Sequence, residues 1–155
     1  SRYGSAAFLV LDSNARVDPA SRQGRFIRRA VRAARTSCLR IAVLHHPPFS
    51  SPRTGIAPAL RRHVVPLLER AGFQLVLVGH VHSYERSQVR NGITYVVVGT
   101  GGAEIGRVPD STIPSAATVT GRFGALRLDV AARGLTGSFT TVDGVERDRF
   151  GIRCA

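Results

Sequence analysis

The stretch GHVHSYERS, residues 79–87, follows directly on FQLVLV, residues 73–78. The apolar run reads as a buried β-strand. Packing gives such a strand no reason to end in two imidazoles separated by a single residue, because buried polar groups without partners cost several kcal/mol. Residues i and i+2 of an extended segment point to the same side. His80 and His82 are therefore expected to face one site together.

The elements on either side define where that site lies. AAFLVLDSN (6–14) is a continuous apolar run closed by polar turn residues, hence another buried strand. DPASRQGRFIRRAVRAARTS (18–37) opens on Asp18–Pro19, a helix-start signal, and Phe26, Ile27, Ala30, Val31 and Ala34 then recur on one helical face. CLRIAVL (38–44) is a further buried strand, stopped by HHPPFSSPRTG. IAPALRRHVVPLLERAG (56–72) reads as a helix with Leu60, Val64, Leu67 and Leu68 inward; Pro66 should kink or split it, and Gly72 ends it.

After residue 86 the grammar changes. GITYVVVGTGG (92–102) is a strand running into a glycine turn. RFGALRLDVAARGLTGSFTTVDGVERDRFGI (122–152) alternates apolar and polar residues in short runs split by RG and DG, which is hairpin patterning. The expected fold class is therefore α/β, a single domain over residues 1–155. Residues 1–87 supply strand–helix units that make a parallel sheet by crossover, and residues 88–155 are mainly antiparallel β. The carboxyl ends of parallel strands are where such folds place their active sites.

Three strands end in polar residues at that position. The first ends in Asp12, Ser13 and Asn14, the second in His45 and His46 before Pro47–Pro48, and the third in His80 and His82. Imidazole is the commonest neutral metal ligand, suited to Zn, Fe, Mn and related ions. A lone histidine is more often a hydrogen-bonded core residue, but packing alone does not gather His46, His80 and His82 at two strand ends. Adjacent strand residues point opposite ways, so only one of His45 and His46 is expected to reach the metal, the other orienting a group or donating a proton. His63, inside the second helix, reads as a surface or flank residue.

Composition narrows the partners. The chain has 155 residues, enough for one domain with a core. No apolar run reaches the roughly 18 residues of a membrane span. The 22 basic residues, all arginine, outnumber 10 acidic ones for a formal charge of +12, which favours polyanions in general. The arginines are spread along the chain, and their densest stretch, RQGRFIRRAVRAAR (22–35), has the spacing of a solvated helix face, which argues against nucleic acid as the partner. Cys38 and Cys154 fit no metal-binding pair; a single disulfide and two separate thiols both remain open. A secreted or periplasmic location is favoured over a cytoplasmic one. The chain has no methionine, not even a first one, and is expected to be a piece of something longer.

VLHHPPFSS (43–51) and GHVHSYERS resemble the last two metal-binding motifs of the calcineurin-like metallophosphoesterases, written VxxH and GHxH. The trailing YERS is similar to the purple acid phosphatase-like branch. YGSAAFLVLDSN (3–14), YVVVGTGGAE (95–104), RFGALRLDV (122–130) and VDGVERDRF (142–150) agree in order, so the resemblance covers nearly the whole chain.

The resemblance implies part of a four-layer αββα sandwich. It also implies a pair of divalent or trivalent ions (Fe, Zn or Mn) about 3.5–4 Å apart, clamping a phosphate ester for in-line attack by a metal-bound hydroxide. His46 and His80 would bind the divalent ion and His82 the other. Read from the residues themselves, Tyr84, Glu85 and Arg86 are expected to brace the histidine loop, and GTGG (99–102) to make a tight turn beside the site in preference to cradling a phosphate.

Two features depart from the family. Its three earlier motifs, an Asp with a His or Gly two residues on, GDxx, and GNHE or GNHD, supply the carboxylates and an Asn amide, and none occurs here. The chain is thus expected to be the C-terminal portion of the catalytic domain, inactive or nearly so alone. Its partner would be an N-terminal half of the same domain, or a second copy by self-association. The family's His a few residues beyond VxxH is also missing: Arg53 and Thr54 stand there. Arg53 is a candidate for bidentate phosphate binding, and proton donation falls to His45 or water. The alternative is a non-catalytic module of the same fold that binds polyanions through its arginines.

Overall fold

Four apolar runs lie side by side as parallel strands: β2 (Ala6–Val10), β3 (Leu39–Val43), β4 (Leu75–Val78) and β6 (Thr94–Val98). In this computed structural model residues 1–50, 57–105 and 114–154 are described. Short β1 (Arg2–Tyr3) flanks β2, while β5 (Tyr84–Ser87) and β7 (Ser115–Val119) extend the other side antiparallel, giving the order β1-β2-β3-β4-β6-β5-β7. β8 (Gly124–Ala131), β9 (Gly134–Thr141) and β10 (Glu146–Arg153) form a separate antiparallel sheet. Among the described residues no helix is long and apolar enough to cross a membrane.

Both faces of the parallel strands are covered, which is why they read as unbroken apolar runs. On one face, α1 (Arg22–Ala34), α2 (Pro58–His63) and α3 (Val65–Arg70), with Val64 between the last two, press Ile27, Val31, Leu60, Val64 and Leu68 against Leu9, Ala42, Val76 and Tyr95. On the other, Leu39, Ile41, Leu75 and Val96 meet Leu135, Phe139 and Phe150 of the small sheet. The described residues thus make a helix–sheet–sheet stack, an α/β sandwich of the expected class.

Two helix expectations met different outcomes. Pro66 splits the second helix: it lacks an N–H and its ring would strike the carbonyl four residues back, so α2 ends at His63 and α3 begins at Val65. The first helix does not start at Asp18–Pro19. Asp18 instead accepts the amides of Ala20 and Ser21 at 3.2 and 3.1 Å in a turn, and Ser21 is the cap, its Oγ accepting the Gly24 amide at 2.9 Å.

The YERS segment is itself a strand, which its charged composition concealed. As β5 it pairs with β6 and β7 and buries Tyr84, Glu85 and Ser87. It also clamps the two sheets together. The Tyr84 hydroxyl donates to Asp148 Oδ2 at 2.6 Å, and Arg86 donates to the same carboxylate through Nε and Nη2 at 2.7 and 2.8 Å. Tyr84 stacks on Phe139 with ring centroids 4.0 Å apart. Burial alone pushes the Asp148 carboxyl up, but the hydrogen bonds and charge of Arg86 and Tyr84 outweigh it and hold the group below its ordinary value. A disulfide between Cys38 and Cys154, with Cα atoms 5.2 Å apart, ties the residue before β3 to the residue after β10 and resolves the two readings of these cysteines.

Candidate metal centre

The histidines stand just past the carboxyl ends of β3 and β4. Leu44 donates its amide to Leu77 O at 3.1 Å and Gly79 to His45 O at 3.0 Å, so the two segments stay together beyond the sheet. Past Val43 the chain bends, and strand alternation no longer applies. His45 and His46 consequently do not diverge as expected: their ring centroids lie 4.8 Å apart, and those of His80 lie 5.1 Å from His45 and 4.5 Å from His46. One nitrogen from each of the three rings falls within 4.8 Å of the others.

Each ring is held differently. His46 is fixed by Ser13 at the end of β2: its amide donates to Ser13 Oγ at 2.9 Å and its Nδ1 lies 2.8 Å from the same oxygen. With Nδ1–H donated to Ser13, Nε2 keeps its lone pair for a ligand, the arrangement of metal-binding histidines. His45 Nε2 and His80 Nδ1 share one hydrogen bond of 3.1 Å. Partial desolvation, followed by the charges of His46, His45 and His82, lowers the pKa of His80 and favours the neutral, ligating form.

The GHVH loop is turned, not extended. His80 has φ +67°, and Val81 donates to Gly79 O and Ser83 to Val81 O, each at 2.8 Å. The i, i+2 argument for His80 and His82 therefore does not hold: His82 lies outside the cluster, its Nδ1 donating to the Glu104 carbonyl at 2.6 Å. The loop rests on Gly99, where a Cβ would stand 1.8 Å from Val81 O, and the Gly99 amide donates to Ser83 O at 3.0 Å. Of the GTGG stretch, this first glycine has an evident task, which is to let the histidine loop come close.

Arg53 and Thr54 lie outside the described residues. His63 sits in α2, half-buried and outside the cluster. The sequence marks Ser13 only as a polar strand-end residue; its contact with His46, 33 positions away, has no local sequence signal. Beside His45 an apolar hollow of about 310 Å³ opens between the sheets, walled by Leu77, Val98, Leu126 and Leu128. As a donor set the cluster offers three neutral nitrogens and, among the described residues, no carboxylate, which fits a borderline divalent ion such as Zn²⁺.

No protein-family profile and no curated protein sequence matches the chain. Solved structures do. A purple acid phosphatase from yellow lupin (Lupinus luteus) seeds superposes with TM-score 0.87 at 22% identity, over 99% of this chain and 32% of that one. GAP50, the anchor in the inner membrane complex of Plasmodium, gives 0.83 at 18% identity, over 97% and 50%. PhoD gives 0.65 at 13% identity, over 96% and 38%. The chain has the fold of the calcineurin-like metallophosphoesterases, and each of these three structures superposes over nearly the whole of this chain. It spans about a third to a half of the length of these neighbours. One neighbour is named as an anchor, so the shared fold alone does not fix an activity.

Proposed function

We propose that this chain is the C-terminal, histidine-bearing portion of a metal-dependent phosphoric ester hydrolase. The observation that carries the reading is the gathering of three imidazoles at the carboxyl ends of adjacent parallel strands, in a metallophosphoesterase fold. His46 and His80 hold the first ion, with Ser13 fixing the tautomer of His46. His82, its Nδ1 committed to Glu104, keeps Nε2 for a second ion. Bound metal supplies Lewis-acid charge for the phosphoryl oxygens. The chain's own part is to present neutral nitrogens, leaving the site positive toward a phosphate ester.

A two-ion site needs anionic ligands to balance its charge, and the Asp and Asn motifs that carry them in this fold are absent from the sequence. We assign them to another portion of the domain or to a second copy. The apolar hollow beside His45 and the partial coverage of each neighbour support that assignment. The disulfide supports secretion or a periplasmic location, since such bonds persist in oxidising compartments. Hydrolysis of p-nitrophenyl phosphate tests the reading. The isolated chain should be nearly inactive, and a protein in which it is joined to the remaining portion of its domain should be active and lose activity in His46→Ala and His80→Ala. Activity indifferent to both substitutions would sink it.

A further inference from the structure

We infer that His45 is a metal ligand, completing with His46 and His80 a three-imidazole site that holds one borderline divalent ion on this chain alone. This rests on the metal-dependent reading above and goes beyond it, because the two-ion arrangement assigns no ligand role to His45 and requires His82 and carboxylates.

The geometry has four parts. His45 and His46 turn their rings edge to face beyond the end of β3, at 87°, and both reach His80. His45 Nε2 and His80 Nδ1 stand 3.1 Å apart. Two imidazole nitrogens bound at 2.0–2.1 Å to one tetrahedral ion lie about 3.3 Å apart, so these two donors already have nearly the spacing of a shared ion, and both rings turn their lone pairs off the line between them to bind it. His46, its Nδ1 turned to Ser13, brings Nε2 as the third donor, and one nitrogen of each ring already lies within 4.8 Å of the others. His45 and His80 are exposed, so an ion enters from solvent and keeps a position open on that side.

His80 also stands in the left-handed region at φ +67°, a conformation that costs a non-glycine residue of order 1–3 kcal/mol and clusters at functional sites. Three neutral nitrogens select Zn²⁺, Co²⁺, Ni²⁺ or Cu²⁺ over Mg²⁺ or Ca²⁺, which prefer oxygen. His82 does not contribute to this site, because the Glu104 carbonyl holds it away from the cluster.

The test is Zn²⁺ titration calorimetry on the metal-free 155-residue chain, with Co²⁺ absorption spectra as a report on coordination. The unsubstituted chain should bind one ion with an intense tetrahedral Co²⁺ spectrum. His45→Ala should weaken binding by at least the 10–100-fold that even outer-sphere partners of a ligand are worth, and should lose that spectrum. His63→Ala, in α2 and outside the cluster, should keep both affinity and spectrum. If His45→Ala binds like the unsubstituted chain while His80→Ala does not, His45 is no ligand and the inference fails, although the metal-dependent reading stands. Equal losses in His82→Ala and His45→Ala overturn it as well. No binding by the unsubstituted chain overturns the inference and leaves the metal-dependent reading to the p-nitrophenyl phosphate test on the joined protein.

Discussion

The two halves of GHVHSYERS are neighbours in sequence and opposites in physics. GHVH is open: His80 and His82 are exposed, the backbone is strained at His80, and the His80 ring meets those of His45 and His46 instead of a core. YERS is closed: Tyr84 and Glu85 are buried, and Tyr84 and Arg86 meet a single carboxylate on the facing sheet. Satisfied polar groups on the second half hold the sheets together, while lone pairs left free on the first half are available to a ligand. Substitutions in YERS should therefore cost stability, and substitutions in GHVH should cost binding.

The largest expected effect tests the closed half. Asp148→Asn leaves the part-buried Arg86 guanidinium without its counter-charge, and the cost approaches the roughly 3 kcal/mol lost when a buried pair is broken. Denaturant unfolding of the two proteins measures it. The pH dependence has a definite sign. Because the folded pKa of Asp148 is depressed, its contribution is present above the unfolded carboxylate value near 3.9 and is lost as pH falls through the folded value. The stability gap between the parent and Asp148→Asn should thus be flat near neutrality and close at acid pH. A gap that widens on acidification would show that the pair is not what Asp148 contributes.

Gly99→Ala joins the two halves and comes next. A Cβ there collides with Val81 O, so the loop carrying His80 must shift; overpacking of this kind costs about 1–3 kcal/mol. Both stability and Zn²⁺ affinity should fall. Gly101→Ala is the control, because a Cβ at Gly101 meets nothing within 4 Å. If Gly99→Ala left metal affinity unchanged, the seating of the loop would not set the site.

How far the sequence could be read follows the same division. The parallel strands, the break at Pro66 and the two hairpin turns were legible because each rests on local chemistry: apolar runs, a missing N–H, RG and DG turns. β5 was not, since four residues with two charges show no apolar pattern, and its burial depends on Asp148 sixty-two positions beyond Arg86. At the site, the identities of the histidines were visible but their grouping was not. Residues 45–46 and 80–82 lie in bends, where strand periodicity has no force.

The smallest effect is expected where the site is set most indirectly. Ser13 touches His46 from the end of β2 and accepts its amide, so it fixes which ring nitrogen faces the cluster. Ser13→Ala removes that orientation but no proposed ligand, and should weaken Zn²⁺ binding about tenfold, the lower end of what such outer partners contribute. Ser13→Thr, which keeps the hydroxyl, should restore most of the loss. Stability should change little in either variant, because the site lies outside both apolar clusters. A purely structural Ser13 would give the reverse pattern, with unfolding free energy lost and metal affinity kept, and the orientation of His46 would then have to come from its position after the bend.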